Sequence, residues 1–244
     1  MEQQARYKLS FGGPLTPVVK SLIIVNLLAF AFLFIASDKG TLVQYLGLVP
    51  ASIINERHYW QFITYMFIHV DFWHFAFNML GLWWFGCDIE KGFGAKHFLR
   101  YYLITGIGAG ICAFLLGWES KTPTIGASGA IFGVLLAYAI LYPNRMIYLY
   151  FIIPVKAKWL VAFFGLVELA GVIRASDEGI SHIAHVGGIL FGLLWFGYYL
   201  KFFSMDSLRR LFFWRRGKQK FKIIKIQGTE DDDFFKGNRD GTVH

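Results

Sequence analysis

The sequence predicts an all-α, polytopic membrane protein: a bundle of six transmembrane helices with a long interfacial loop between the first and the second. Three observations predict it. Hydrophobic residues make up 56% of the 244-residue chain and charged residues only 16%, and the mean hydropathy is +0.47, which is too oily for an ordinary soluble domain. Apolar stretches of about 17 to 25 residues, enough to cross hydrocarbon, recur near 18–36, 72–88, 98–117, 126–142, 157–174 and 180–200. Lys and Arg fall on alternate connections: segments 1–20, 89–100, 143–158 and 201 onward hold 3, 3, 3 and 11, and the other connections hold only Lys39, Arg57, Lys121 and Arg174. Positively charged flanks stay cytoplasmic. Both termini are therefore expected inside, and segments two, four and six enter from outside. A multi-pass protein of the plasma (inner) membrane is expected.

The first apolar core, "LIIVNLLAFAFLFIA", follows some twenty polar residues and precedes only a weak cleavage site, so it reads as a retained helix and not a leader. The connection 37–71 is long for one without function, and "LVQYLGLVPASIINERHYWQFITYMFI" is aromatic enough to lie in the outer interface. Short later loops favour antiparallel neighbours. The expected organisation is a polar cytoplasmic arm at 1–17, a membrane domain at 18–203 and a basic, aromatic cytoplasmic tail at 204–244. That tail begins at the cytoplasmic end of a membrane helix, where anionic lipid is a nearer polyanion than nucleic acid. Lipid is the expected contact and no nucleic-acid partner is expected. Cys87 and Cys112 show no CxxC spacing and read as buried small hydrophobes.

With this orientation the polar residues of three segments converge. His74 falls in the first turn of segment two, with Asn78 four residues on along the same face. Ser128 opens segment four. His185 lies five residues into segment six, roughly 8 Å of helical rise. Taken singly, each has a bland reading as a packing or interfacial residue. Matched depth on one side makes a shared site the better reading, since polar groups at membrane depth usually line a pathway or a site. Gly129, Gly133 and Ala137 form a small-residue stripe on segment four, and Ala184, Gly188 and Gly192 form one on segment six. If the stripes meet, Ser128 and His185 come within hydrogen-bond reach.

A serine hydroxyl needs a base to become a nucleophile, and an imidazole suits that task. No acid stands beside His185 in sequence: Asp177 and Glu178 lie in the preceding loop and Glu168 lies inside segment five. A Ser128–His185 dyad is therefore expected rather than a triad. Oxyanion donors would be the Ser128 N–H at a helix start, the Asn78 amide and the His74 ring, with Gly126 keeping bulk away from the approaching carbonyl. No cofactor and no metal is expected.

These residues resemble the rhomboid family of intramembrane serine proteases. The matching motifs are "HVDFWHFAFN" (His69, His74, Asn78), "GASG" (Gly126 to Gly129), "AHVGGILFG" (Ala184 to Gly192) and "GCDIEKGFG" (Gly86 through Glu90 to Gly94), spread over about residues 20–200. The resemblance implies a serine endopeptidase with Ser128 as nucleophile and His185 as general base and acid. It also implies an oxyanion hole formed with His74 and Asn78, and a movable fifth helix carrying Trp159, Phe163 and Phe164. Where many relatives carry Trp-Arg in the external loop, this chain reads Trp60-Gln61, so the usual arginine contacts do not carry over.

A membrane helix hides its peptide bonds in internal hydrogen bonds, so a substrate segment must unwind before attack. Single-span membrane proteins cut near the outer face are the expected substrates. Besides a transporter, which no broken-helix pair or repeated half supports, two rivals stand beside this reading. One is a non-catalytic rhomboid-like scaffold or quality-control protein. The other is a metal site drawn from His69, His74, His182 and His185, disfavoured by the lack of HExxH or a nearby carboxylate in sequence.

Overall fold

The computed structural model describes residues 14–202 apart from 119, 150–151 and 175–178. The tail, most of the polar arm, and the lipid contact expected of the tail lie outside the described residues. Helix α1 (Pro17–Ile35) opens on a proline, whose missing N–H would have had no partner there anyway. Its next two donors are met from across the molecule. The Glu90 carboxylate accepts from Val18 N–H at 3.0 Å and Val19 N–H at 2.9 Å, and the Thr16 hydroxyl donates to it as well. Glu90 is 3% exposed, a buried anion seated on the positive end of a helix.

The long connection after α1 is not extended chain. It holds α2 (Lys39–Leu46), α3 (Pro50–Glu56), α4 (Gln61–Thr64) and a 3₁₀ turn, Tyr65–Phe67. Gln61 pins it. Fully buried, Gln61 accepts from Val49 N–H at 2.9 Å and donates to the carbonyls of Gln44 at 2.9 Å and Tyr45 at 3.3 Å. The neighbouring Trp60 indole donates to the Tyr45 carbonyl at 2.9 Å. A neutral amide with donors and acceptor all used is a cheap group to bury, and it anchors this loop without a cation.

Helix α5 (Phe72–Gly81), a π-helical segment (Leu82–Gly86) and α6 (Cys87–Phe93) follow without a break, reaching five residues beyond the 72–88 expected. Gly94, at φ 79°, then turns the chain into α7 (Ala95–Leu116). Helix α7 is central, packed against α4, α8 (Ser128–Leu141) and α10 (Gly179–Phe202), and α9 (Ala157–Ile173) leans on α8 and α10.

The all-α expectation is corrected at one place. Strands β1 (Met146–Leu149) and β2 (Ile153–Lys156) form an antiparallel ribbon with Met146 opposite Lys156 and Leu149 opposite Ile153. Short apolar runs rich in β-branched and aromatic residues favour strands, and periodicity alone does not separate them from helix.

By length and composition α1 and α7 are able to cross a membrane, and α8 is a shorter apolar helix. Large apolar side chains stand outside: Phe34 is 71%, Ile35 80% and Ile173 76% exposed, a surface that water-soluble monomers rarely carry. Inside, two buried tyrosine hydroxyls pair with backbone carbonyls. Tyr65 Oη donates to the Gly106 carbonyl and Tyr101 Oη to the Gly133 carbonyl, both at 2.6 Å. Cys87 is buried and Cys112 half-buried, and both are free thiols.

Candidate active site

The site is built where α8 and α10 touch. A Cβ on Gly188 would overlap the Gly129 carbonyl oxygen, and one on Gly192 would sit 3.7 Å from Gly133 Cα. Helix α8 is as close to α7, since a Cβ on Gly129 or Gly133 would fall 2.6 Å from Ala109 Cβ or Thr105 Cβ. Small residues thus let three backbones approach, by the packing rule that applies between membrane helices.

At the mouth of this contact, Ser128 is the first residue of α8. Its Oγ lies 2.7 Å from Nε2 of His185 on α10. The Phe132 ring, one turn along α8, stacks on the His185 ring at 4.5 Å and 21° between planes. The other ring nitrogen of His185, Nδ1, is 2.8 Å from Oε2 of Glu168 on α9, and the same oxygen is 2.6 Å from Nδ1 of His182. A carboxylate only accepts. Each Nδ1 therefore carries its proton, which leaves His185 Nε2 as the acceptor for the Ser128 hydroxyl.

The expectation that no acid orients His185 does not survive as geometry. Glu168 is 17 residues from His185 in sequence and belongs to no motif with it; helix packing alone joins them. The rival donor set of four histidines divides. His69 and His74 face each other edge-on at 4.9 Å between ring centroids, and His182 and His185 gather on Glu168. Among the described residues, Glu168, His182 and His185 place three ligand atoms within 4.8 Å of one another.

The remaining candidates line the approach to Ser128. Asp71 caps α5 by accepting from His74 N–H at 2.7 Å, which sets His74 in the first turn. Gly126 has φ 105°, and a Cβ there would lie 2.6 Å from His74 Nε2. Only glycine combines that backbone with that approach. The Asn78 amide nitrogen donates to the His74 carbonyl at 2.8 Å, which leaves its second proton for another acceptor.

His69, fully buried in the connection before α5, accepts from Ala127 N–H through Nε2 at 3.4 Å. Burial first, and the neighbouring His74 second, push its pKa down to about 4, so it stays neutral as that role requires. The role of His69 in holding the backbone just ahead of Ser128 is not readable from its spacing alone.

The family model for the Rhomboid domain matches residues 56–202. The chain belongs to the rhomboid family. Rhomboid protein 1, mitochondrial, of Saccharomyces cerevisiae is 35% identical over 153 residues, covering 59% of this chain and 43% of that protein. Rhomboid protease GluP of Bacillus subtilis is 32% identical over 175 residues, 70% of this chain and 32% of that protein. The human presenilin-associated rhomboid-like protein, mitochondrial, is 29% identical over 185 residues, 74% of this chain and 48% of that protein. The chain thus spans between about a third and about half the length of these relatives. As a rhomboid it is an integral membrane protein, in accord with its apolar helices and exterior.

Proposed function

We propose that this rhomboid is an intramembrane serine endopeptidase that hydrolyses peptide bonds in or near the membrane segments of single-span proteins. The observation that carries the reading is the 2.7 Å approach of His185 Nε2 to Ser128 Oγ, at the first turn of a helix whose N–H groups are free to receive an oxyanion. His185 takes the hydroxyl proton as Ser128 Oγ attacks the scissile carbonyl carbon. The tetrahedral oxyanion is met by the Ser128 N–H, the His74 ring and the remaining Asn78 amide proton. His185 returns its proton to the leaving amine, and water, deprotonated by the same imidazole, releases the acyl group from Ser128.

The reading extends to the whole chain. The first segment, the continuous stretch α5 to α6, and α7, α8, α9 and α10 are the six spans, with both termini cytoplasmic and Ser128 near the outer face of the plasma (inner) membrane. Lys91 and Arg145, 3.9 Å and 2.7 Å from Asp88, stand at the end of the bundle this orientation puts inside. The basic tail contacts anionic lipid. Substrate enters past α9, where Trp159 and Phe163 are 63% and 61% exposed.

The test is reconstitution in liposomes with a fluorescent single-span substrate. Wild type cuts it and reacts with a fluorophosphonate, whereas Ser128→Ala does neither and His185→Ala loses at least about a thousandfold in rate. Cleavage that survives Ser128→Ala would sink the reading and leave the histidine metal site in its place, and a wild type that neither cuts nor labels would leave the non-catalytic scaffold.

A further inference from the structure

We propose that Glu168 is a positioning residue for His185, so that the reacting unit is a Ser128–His185–Glu168 triad braced by His182 and not a dyad. The proposal rests on the reading of Ser128 and His185 as nucleophile and base. Its warrant is the direction of the protons. Oε2 of Glu168 accepts from His185 Nδ1 at 2.8 Å and from His182 Nδ1 at 2.6 Å, which leaves His185 with one tautomer, the one whose Nε2 is free to take the serine proton. Phe132 fixes the plane of the ring by stacking on its face. The carboxylate fixes which nitrogen is bare.

When the imidazole gains the serine proton it becomes a cation, and an anion 2.8 Å away opposes that charge in a site with little water to do so. His182 has its own reason to be there. A Cβ on Gly171 would lie 2.6 Å from the His182 ring, so α9 carries both a slot for that ring and, one turn earlier, the acid it holds. Two donors on one oxygen keep the carboxylate in a single rotamer. The nucleophile, the base and the positioning acid come from three different helices, α8, α10 and α9, so the seating of α9 enters the tautomer of the base.

The experiment compares Glu168→Gln, Glu168→Ala, Glu168→Asp and His182→Gln with wild type and Ser128→Ala. The full chain is used in liposomes, and the readouts are fluorophosphonate labelling rate, kcat, KM and thermal unfolding temperature. A glutamine in place of Glu168 still offers one carbonyl oxygen, but it brings no charge to oppose the imidazolium, and an amide that both donates and accepts no longer dictates the tautomer. Glu168→Gln and Glu168→Ala are expected to lose roughly a hundredfold or more in labelling rate and kcat. KM should stay within about threefold, because Glu168 touches no substrate. Glu168→Asp recovers part of the rate at an unfolding temperature like that of Glu168→Gln, a rescue that loss of packing would not give. His182→Gln falls between wild type and Glu168→Gln.

Wild-type labelling by Glu168→Gln, with none by Ser128→Ala, overturns the proposal and leaves the serine assignment standing. Wild-type activity that is lost to a chelator and restored by Zn²⁺ alone also overturns it, making the three residues metal ligands. Labelling or cleavage by Ser128→Ala removes the assignment it rests on, and the proposal with it.

Discussion

A serine beside an imidazole is common; what singles out Ser128 is the set of residues that leave its surroundings no freedom. Gly126 takes a φ of 105° and lets His74 Nε2 within 2.6 Å of where a Cβ would be. Gly126→Ala is expected to cost about 1–3 kcal/mol through that strained conformation, and to push His74 away from the site. Thermal unfolding and kcat measured on the same variant check both halves.

His69 supplies a pH test. Its value in the fold, about 4, lies below its ordinary 6.5, so the stability tied to its neutral form is complete above about pH 6.5 and is lost as the pH falls towards 4. His69→Gln keeps an acceptor for Ala127 N–H but does not titrate. Its unfolding temperature is expected to drop less than that of wild type between pH 6.5 and 4, and an equal drop in both would show that His69 is not the group responsible. At this scale the sequence was partly transparent. The sequence expected Ser128 and His185 within hydrogen-bond reach if two small-residue stripes met, and the structure has the stripes in contact and the two side chains 2.7 Å apart. The acceptor role of His69 was not legible there, because it depends on a loop conformation that no spacing encodes.

Between elements, α8 and α10 meet backbone to backbone at Gly129 and Gly188. Gly188→Ala places a methyl on the Gly129 carbonyl oxygen, and neither backbone is able to yield without moving its helix. The expected result is about 1–3 kcal/mol of destabilisation, with a longer Ser128–His185 separation and a fall in kcat. Gly197→Ala, on the same helix with open space around its Cβ position, should do neither, and a parallel loss in both variants would point to α10 itself and not to its contact. Glu168 shows why the rest was hidden. A carboxylate inside an apolar segment announces that it needs a partner, but which one depends on the rotation of α9 about its own axis, and α9 buries only Ala157, Leu160 and Val161. So weak an apolar face gives sequence reasoning little to fix a rotation with. The β1–β2 ribbon was missed for a related reason, since four-residue apolar runs carry too few side chains to reveal a period.

For the molecule as a whole, the class was plain from composition, while arrangement within it came from contacts. Charge bias predicts a topology that is open to direct test. Single cysteines placed at Lys121 and at Arg145, in a chain lacking Cys87 and Cys112, should react with an impermeant maleimide from the outside and the inside respectively, and the opposite pattern would invert the orientation.

The π-helical turn at Leu82–Gly86 has a consequence for both ends of the helical stretch that contains it. Each residue advances an α-helix by about 100°, and a widened turn absorbs one surplus residue without breaking the rod. His74 and Asn78 upstream, and Glu90 downstream, keep the partners described above with that widened turn between them. Deleting one residue from 82–86, so that the coil regains its regular winding, would rotate one end against the other by more than a quarter turn. The molecule would then be able to keep the Glu90 carboxylate on the first turn of α1 or the His74 ring beside Gly126, but not both.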